Sequence, residues 1–139
     1  VAKLASVLPD GSYDFYASFK SGSYGLENVK AKNLFITTDD GSVGIKGMLP
    51  VALSKEAVKK AGYKVIYACG PTPMLRALKA YAAENKIECW VSMEEKMACG
   101  IGACLACVCQ TKDIDDHSKV HNARVCKEGP VFNAREVEI

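Results

Sequence analysis

Four of the seven cysteines, Cys99, Cys104, Cys107 and Cys109, fall within eleven residues, and Cys126 follows Cys107 after a gap of eighteen. Read as C-x4-C-x2-C-x18-C, the residues Cys99, Cys104, Cys107 and Cys126 form a set of four thiols able to bind a metal centre. Thiolates that serve a binuclear centre must converge from more than one direction. A nine-residue loop can supply three of them only if its backbone bends tightly. Gly100 and Gly102 provide that freedom, and Ala103 and Ala106 keep bulk away so that backbone N–H groups can point at sulfur.

The first three spacings are those of plant-type [2Fe–2S] sites, in which a loop wraps the cluster and a distant cysteine closes it. Zinc is the rival metal. Its sites usually pair cysteines at short spacing with a second cysteine or histidine pair. Here Cys126 has no close partner, and His117 and His121 sit at i and i+4 in a charged stretch. A non-catalytic zinc-binding interaction module therefore stays open as an alternative. Buried free thiols are the third reading, but core cysteines do not arrive with interleaved glycines. Cys109 could replace Cys107, yet the C-x2-C chelate fits better, so Cys109 is expected to pack beneath the cluster and Cys89 in the core.

Two further turns could meet a ligand. Thr37-Thr38-Asp39-Asp40-Gly41-Ser42 and Cys69-Gly70-Pro71-Thr72-Pro73-Met74 each follow a strand-like run. In an open α/β sheet, ligands bind beyond the carboxyl ends of the strands, where helix N-termini are exposed. Gly70 lets the chain turn with no side chain over such a crevice. The plainer readings are a strand-to-helix turn that happens to hold a cysteine, and a solvated Asp-Gly turn for Asp39 and Asp40.

The elements that must position these groups follow from the apolar pattern. Strands are predicted at 13–19, 33–37, 64–69 and 88–92, with a last short run at Val131-Phe132. Their mostly continuous apolar character suits strands covered on both faces by helices. The clearest predicted helix has Thr72 as N-cap and Pro73 at its first position, with Met74, Leu75, Leu78, Tyr81 and Ala82 at helical spacing. A weaker helix is expected over 50–61, with Val51, Leu53, Ala57 and Val58 inward and Gly62 as its C-terminal cap. Residues 1–8 are expected to form another. The pattern predicts an α/β chain with a Rossmann-like parallel sheet over 1–92 and a small loop-rich module over 93–139. That module has too few large apolar residues to hold a core unaided, so a metal or cluster is its expected organiser.

Composition narrows the class. The 139 residues are 49% apolar and 24% charged, as in a globular chain, and the net charge of +2 argues against a surface built for nucleic acid or acidic membrane. An odd cysteine count, with none before Cys69, argues against a disulfide-stapled secreted domain and for a cytoplasmic location. No run approaches the roughly 20 apolar residues of a membrane span, and no targeting segment is visible. The chain opens on Val1-Ala2-Lys3-Leu4-Ala5, which reads like the interior of a helix and suggests a processed chain or a fragment.

The run 67–74, Tyr-Ala-Cys-Gly-Pro-Thr-Pro-Met, resembles the Cys-Gly-Pro motif in the nucleotide-binding domain of ferredoxin-NADP reductase-like flavoproteins. Residues 97–107 and 124–132, with Thr38 to Ser42 and Gly44 to Gly47, resemble the electron-transfer subunits of NAD-dependent bacterial dihydroorotate dehydrogenases. The resemblance implies an oxidoreductase subunit of pyrimidine biosynthesis that takes electrons from NADH through FAD and a [2Fe–2S] cluster. Its partner would be an FMN-containing catalytic subunit in a hetero-oligomer, without nucleic acid or membrane. Cys69, Gly70 and Pro71 would sit near the nicotinamide, Asp39 and Asp40 in the nucleotide site, and Cys99, Cys104, Cys107 and Cys126 on the cluster. Related small subunits of sulfide dehydrogenases, glutamate-synthase-like enzymes and ferredoxin:NADP oxidoreductases form the runner-up. Against that family, the FAD barrel and the first strand with its glycine-rich turn are absent from these residues. The chain is thus expected to correspond to the C-terminal half of such a subunit and to be inactive alone.

Overall fold

The computed structural model describes residues 1–53, 58, 60–114, 116 and 119–139. They form two compact units, Val1–Gly62 and Tyr63–Ile139.

In the first unit a single helical turn, α1 (Ala2–Ala5), precedes three parallel strands, β1 (Asp14–Phe19), β2 (Asn33–Thr38) and β3 (Ile45–Lys46), in the order β1-β2-β3. The helix expected over 1–8 is therefore shorter. The Ser6 hydroxyl turns back to the Lys3 carbonyl at 2.8 Å, and Pro9 disfavours helical geometry at Leu8. Tyr16 and Phe35 are register partners on β1 and β2, and their rings stack 4.6 Å apart. Thr37 and Thr38 are fully buried at the carboxyl end of β2, which polar side chains tolerate only with hydrogen-bond partners. Thr37 Oγ1 donates to Ser18 Oγ at 3.0 Å, and Thr38 Oγ1 donates to the Val43 carbonyl at 2.8 Å.

Of the helix expected over 50–61, residues 54–57 and 59 lie outside the described residues, Ala57 among them. Leu49–Val51 is a 3-10 turn that leaves Val51 exposed, whereas Val58 is buried as expected. Gly62, at φ +66°, donates its N–H to the Val58 carbonyl at 3.1 Å and closes that segment.

The second unit contains β4 (Val65–Cys69), α2 (Thr72–Asn85), β5 (Glu88–Ser92), β6 (Val108–Thr111), β7 (Asn122–Arg124), β8 (Val131–Asn133) and β9 (Val137–Glu138). Strands β4 and β5 are parallel, as their crossover through α2 requires, and β8 joins β5 antiparallel. A separate antiparallel sheet has the order β7-β6-β9. Helix α2 buries Leu75, Leu78 and Ala82 along one stripe. Its cap is Pro71 rather than Thr72, because the Pro71 carbonyl already accepts the N–H groups of Met74 at 2.9 Å and Leu75 at 3.1 Å. Val65 and Tyr67 are exposed, so β4 is not covered on both faces; Ala68, on the opposite face, is buried. Val91, Val125 and Val137 are wholly buried and belong to three different segments, so the core of this unit draws on both sheets. Among the described residues, no helix is long and apolar enough to cross a membrane.

Candidate metal centre

Register alone shows how the distant cysteine reaches the loop. Cys107 lies immediately before β6 and Cys126 two residues after β7. The antiparallel pair sets Val108 opposite Arg124, and the Val125 N–H extends the ladder by donating to the Cys107 carbonyl at 3.0 Å. The β6–β7 pairing thus carries Cys126 back across the intervening chain to Cys107.

The loop from Cys99 to Cys107 turns its amides inward. Gly100 and Gly102 hold φ values of +69° and +81°, and Leu105 joins them at +59°, a left-handed conformation that side chains normally avoid. Those turns aim the Cys104 N–H at Cys99 Sγ, 3.4 Å away, and the Ala106 N–H at Cys104 Sγ, 3.5 Å away. Backbone N–H groups of Cys104 and Ile101, with help from the Cys104 thiol and the Ala103 N–H, pull the Cys99 thiol down to about 6. The Cys126 thiol is pushed up by its hydrogen bond to Cys107, then by burial and by the charges of Cys107 and Cys99, while the Gly102 N–H opposes the rise.

Four sulfurs therefore fall into two neighbouring pairs, Cys99 with Cys104 and Cys107 with Cys126. Among the described residues, no three His, Cys, Asp or Glu groups are gathered at a single-ion site. Two thiol pairs ringed by inward amides fit an iron–sulfur cluster, whose sulfurs take backbone hydrogen bonds. Cys107 is buried, Cys104 is exposed, and Cys99 and Cys126 are half-buried. Cys89 and Cys109 are both buried, and burial raises both thiols, as expected of packing residues. Of the histidines, His121 places Nδ1 2.8 Å from the Lys112 carbonyl, and His117 lies outside the described residues.

One ion pair here escaped the sequence reading. Arg124, buried at 8% exposure, sets Nε 3.1 and 3.0 Å from the two carboxylate oxygens of Glu128. The available signal was the pair of opposite charges at i and i+4 around Cys126.

The remaining candidate residues divide between the two units. Asp39 and Asp40 follow β2 in the first, and Cys69, Gly70 and Pro71 end β4 in the second. Asp40 Oδ1 accepts the Ser42 N–H at 2.9 Å and the Ser42 hydroxyl at 2.7 Å, and these bonds lower its carboxyl below the usual range. Ser42 Oγ in turn accepts the Gly22 N–H at 2.9 Å, so the Asp-Gly turn is tied to the loop after β1. Cys69 is exposed, and a Cβ on Gly70 would lie 2.5 Å from Met74 Cε, so this turn is closely packed against the start of α2.

A parallel sheet with a crossover helix, joined to a cysteine-rich antiparallel module, defines an α/β chain of the ferredoxin-NADP oxidoreductase type with an iron–sulfur binding domain. The solved structure titled "Insights into flavin-based electron bifurcation via the NADH-dependent reduced ferredoxin-NADP oxidoreductase structure" matches with a TM-score of 0.67 and 26% identity, covering 90% of this chain and 44% of that one. Residues 94–138 match the family described as "Iron-sulfur cluster binding domain of dihydroorotate dehydrogenase B". The chain as a whole resembles the electron transfer subunits named dihydroorotate dehydrogenase B (NAD(+)). It is 39% identical over 136 residues to that of Clostridium acetobutylicum, covering 96% of this chain and 50% of the relative. It is 45% identical over 105 residues to that of Bacillus pumilus, covering 76% of this chain and 37% of the relative. The chain spans about half the length, or less, of these curated relatives.

Proposed function

We propose that the chain is an electron-transfer module of a dihydroorotate dehydrogenase, with residues 93–139 holding a [2Fe–2S] cluster on Cys99, Cys104, Cys107 and Cys126. The observation that carries this reading is the pairing of the four thiols under inward-facing amides, within the segment that matches an iron–sulfur binding family. Bound there, such a cluster passes single electrons, whereas NADH gives up a hydride, so a flavin must mediate between them. The role of the chain's own residues is orientation. The Cys104 N–H favours thiolate at Cys99, the Ala106 N–H is aimed at Cys104 sulfur, and the β6–β7 pair holds Cys107 against Cys126.

Residues 1–92 belong, in this reading, to the NAD(H)-binding part. Cys69, Gly70 and Pro71 face the nicotinamide, and Asp39 and Asp40 contribute to the nucleotide site. In the complete subunit, bound FAD would supply the link between hydride and single-electron transfer, and the acceptor would be an FMN-containing catalytic subunit of pyrimidine biosynthesis in the cytoplasm. A second reading keeps these parts and changes the acceptor to that of a ferredoxin:NADP oxidoreductase; the likeness to that structure favours it.

Cys104→Ser in the complete subunit, FAD-binding part included, assayed with its co-purified partner, tests the proposal. NADH-linked turnover should be lost while the partner keeps its activity with artificial acceptors. Undiminished NADH-linked turnover would overturn the assignment, and co-purification with a different oxidoreductase would favour the second reading.

A further inference from the structure

We infer that Arg124 is a positioning residue that fastens the Cys99–Cys107 loop to the Cys126 segment, and that Arg124, Glu128 and Lys127 together set the charge beside the cluster. The inference rests on the cluster reading above. Arg124 stands two residues before Cys126 at the end of β7, and its guanidinium is buried beside the loop. Besides its two-pronged contact with Glu128, it donates through Nη1 to the Gly102 carbonyl at 3.4 Å. Gly102 lies between the first two cysteines, Cys99 and Cys104. One arginine thus joins the middle of the C-x4-C loop to the segment that brings the distant cysteine.

The clamp is closed from both ends. The Glu128 carboxylate also accepts the Arg124 backbone N–H at 2.7 Å, and the Arg124 carbonyl accepts the N–H groups of Lys127 at 3.0 Å and Glu128 at 2.9 Å. Cys126 is held inside that turn. Both cationic side chains also come close to the loop at Gly102: a Cβ there would lie 3.1 Å from Lys127 Cδ and 3.4 Å from Arg124 Cδ. Arg124, Lys127 and Glu128 thus bring two cations and one carboxylate to the segment that carries Cys126. A planar guanidinium suits this task because its fork engages both carboxylate oxygens and leaves further donors for the carbonyl.

Charge and geometry make separable predictions. Reduction adds negative charge to the cluster, so a nearby cation favours it and a nearby anion opposes it. In the full chain, purified with its cluster, Glu128→Gln should raise the midpoint potential, whereas Arg124→Gln and Lys127→Gln should lower it. Arg124→Lys keeps the charge but loses the fork. It should hold a near-native potential yet lose iron several-fold faster to a chelator, with a broadened paramagnetic resonance signal. Should Arg124→Gln fail to load, Glu128→Gln and Lys127→Gln still give the opposite signs.

Shifts of the same sign for Glu128→Gln and Lys127→Gln, or none, in a chain that loads normally would overturn the inference and leave the cluster reading intact. A wild-type chain that takes up no iron and sulfide would overturn the cluster reading itself, and this inference with it. Native chelator resistance in Arg124→Lys would remove the positioning role.

Discussion

Gly102→Ala puts a measurable load on the point where the cluster loop meets the Cys126 segment. At φ +81° an alanine costs about 1–2 kcal/mol relative to glycine, partly offset by about 0.4–1 kcal/mol from a less flexible unfolded chain. Its methyl would also sit 3.1 Å from Lys127 Cδ, which can move, and 3.4 Å from Arg124 Cδ, which Glu128 restrains. Allowing about 1 kcal/mol for that crowding gives a total near 2 kcal/mol. Gly100→Ala is the internal control. Its φ is +69°, but a Cβ there meets nothing within 4 Å, so it should lose only about 1 kcal/mol. At roughly 4 °C per kcal/mol for a chain of this size, thermal unfolding should separate the two variants by a few degrees. Adding Lys127→Ala should recover part of the Gly102→Ala loss and none of the Gly100→Ala loss. Equal melting temperatures for the two variants, or no recovery, would refute the packing argument.

Three other outcomes follow from the same structure. Gly44→Ala would set a Cβ 2.1 Å from the Ile36 carbonyl oxygen at φ +70°, so the first unit should lose at least ~3 kcal/mol; a thermal melt unchanged within experimental scatter would contradict this. In the metal-free chain, Cys99, held near 6, should be mostly thiolate at neutral pH, while burial keeps Cys89 and Cys109 protonated. Mass-spectrometric mapping of iodoacetamide labelling should therefore find Cys99 modified well before those two, its rate falling as pH drops through about 6. Ser42→Ala should raise the Asp40 carboxyl, whose depressed value comes mainly from the Ser42 hydroxyl and N–H. Because that carboxyl is lowered in the folded chain, its contribution to stability is present above the unfolded value and is lost as pH falls through the folded one. An NMR titration of Asp40 that is the same in both proteins would argue against the turn as its cause.

Much of the fold was legible because its strands are short apolar runs bounded by turn residues. The expected runs at 33–37, 64–69 and 88–92 differ from β2, β4 and β5 by a residue or less at each end. Strands β6, β7 and β9 were not legible. Asn122-Ala123-Arg124 carries no apolar alternation, and Val108 to Thr111 sits in a cysteine-rich stretch that reads as loop. Those three form only because pairing with one another satisfies their backbones, which is tertiary context rather than local preference. The same gap hid the clamp. The cysteine spacing marks four thiols, but nothing in it pairs Cys107 with Cys126, because that pairing depends on the β6–β7 register. Nothing in the spacing marks Arg124 as buried, and its burial becomes visible only when Gly102 and Glu128 are seen around it. The Thr72 cap missed by one residue for a simpler reason: a proline lacks an N–H, but its carbonyl still begins a helix.

The central claim, an iron–sulfur centre on Cys99, Cys104, Cys107 and Cys126, is tested most directly by metal and sulfide analysis of the anaerobically purified full chain, with paramagnetic resonance after reduction. The expected result is a red-brown protein with equal iron and acid-labile sulfide, in the [2Fe–2S] complement per chain, and a signal that disappears in Cys126→Ser. A colourless chain holding stoichiometric zinc and no labile sulfide would contradict it.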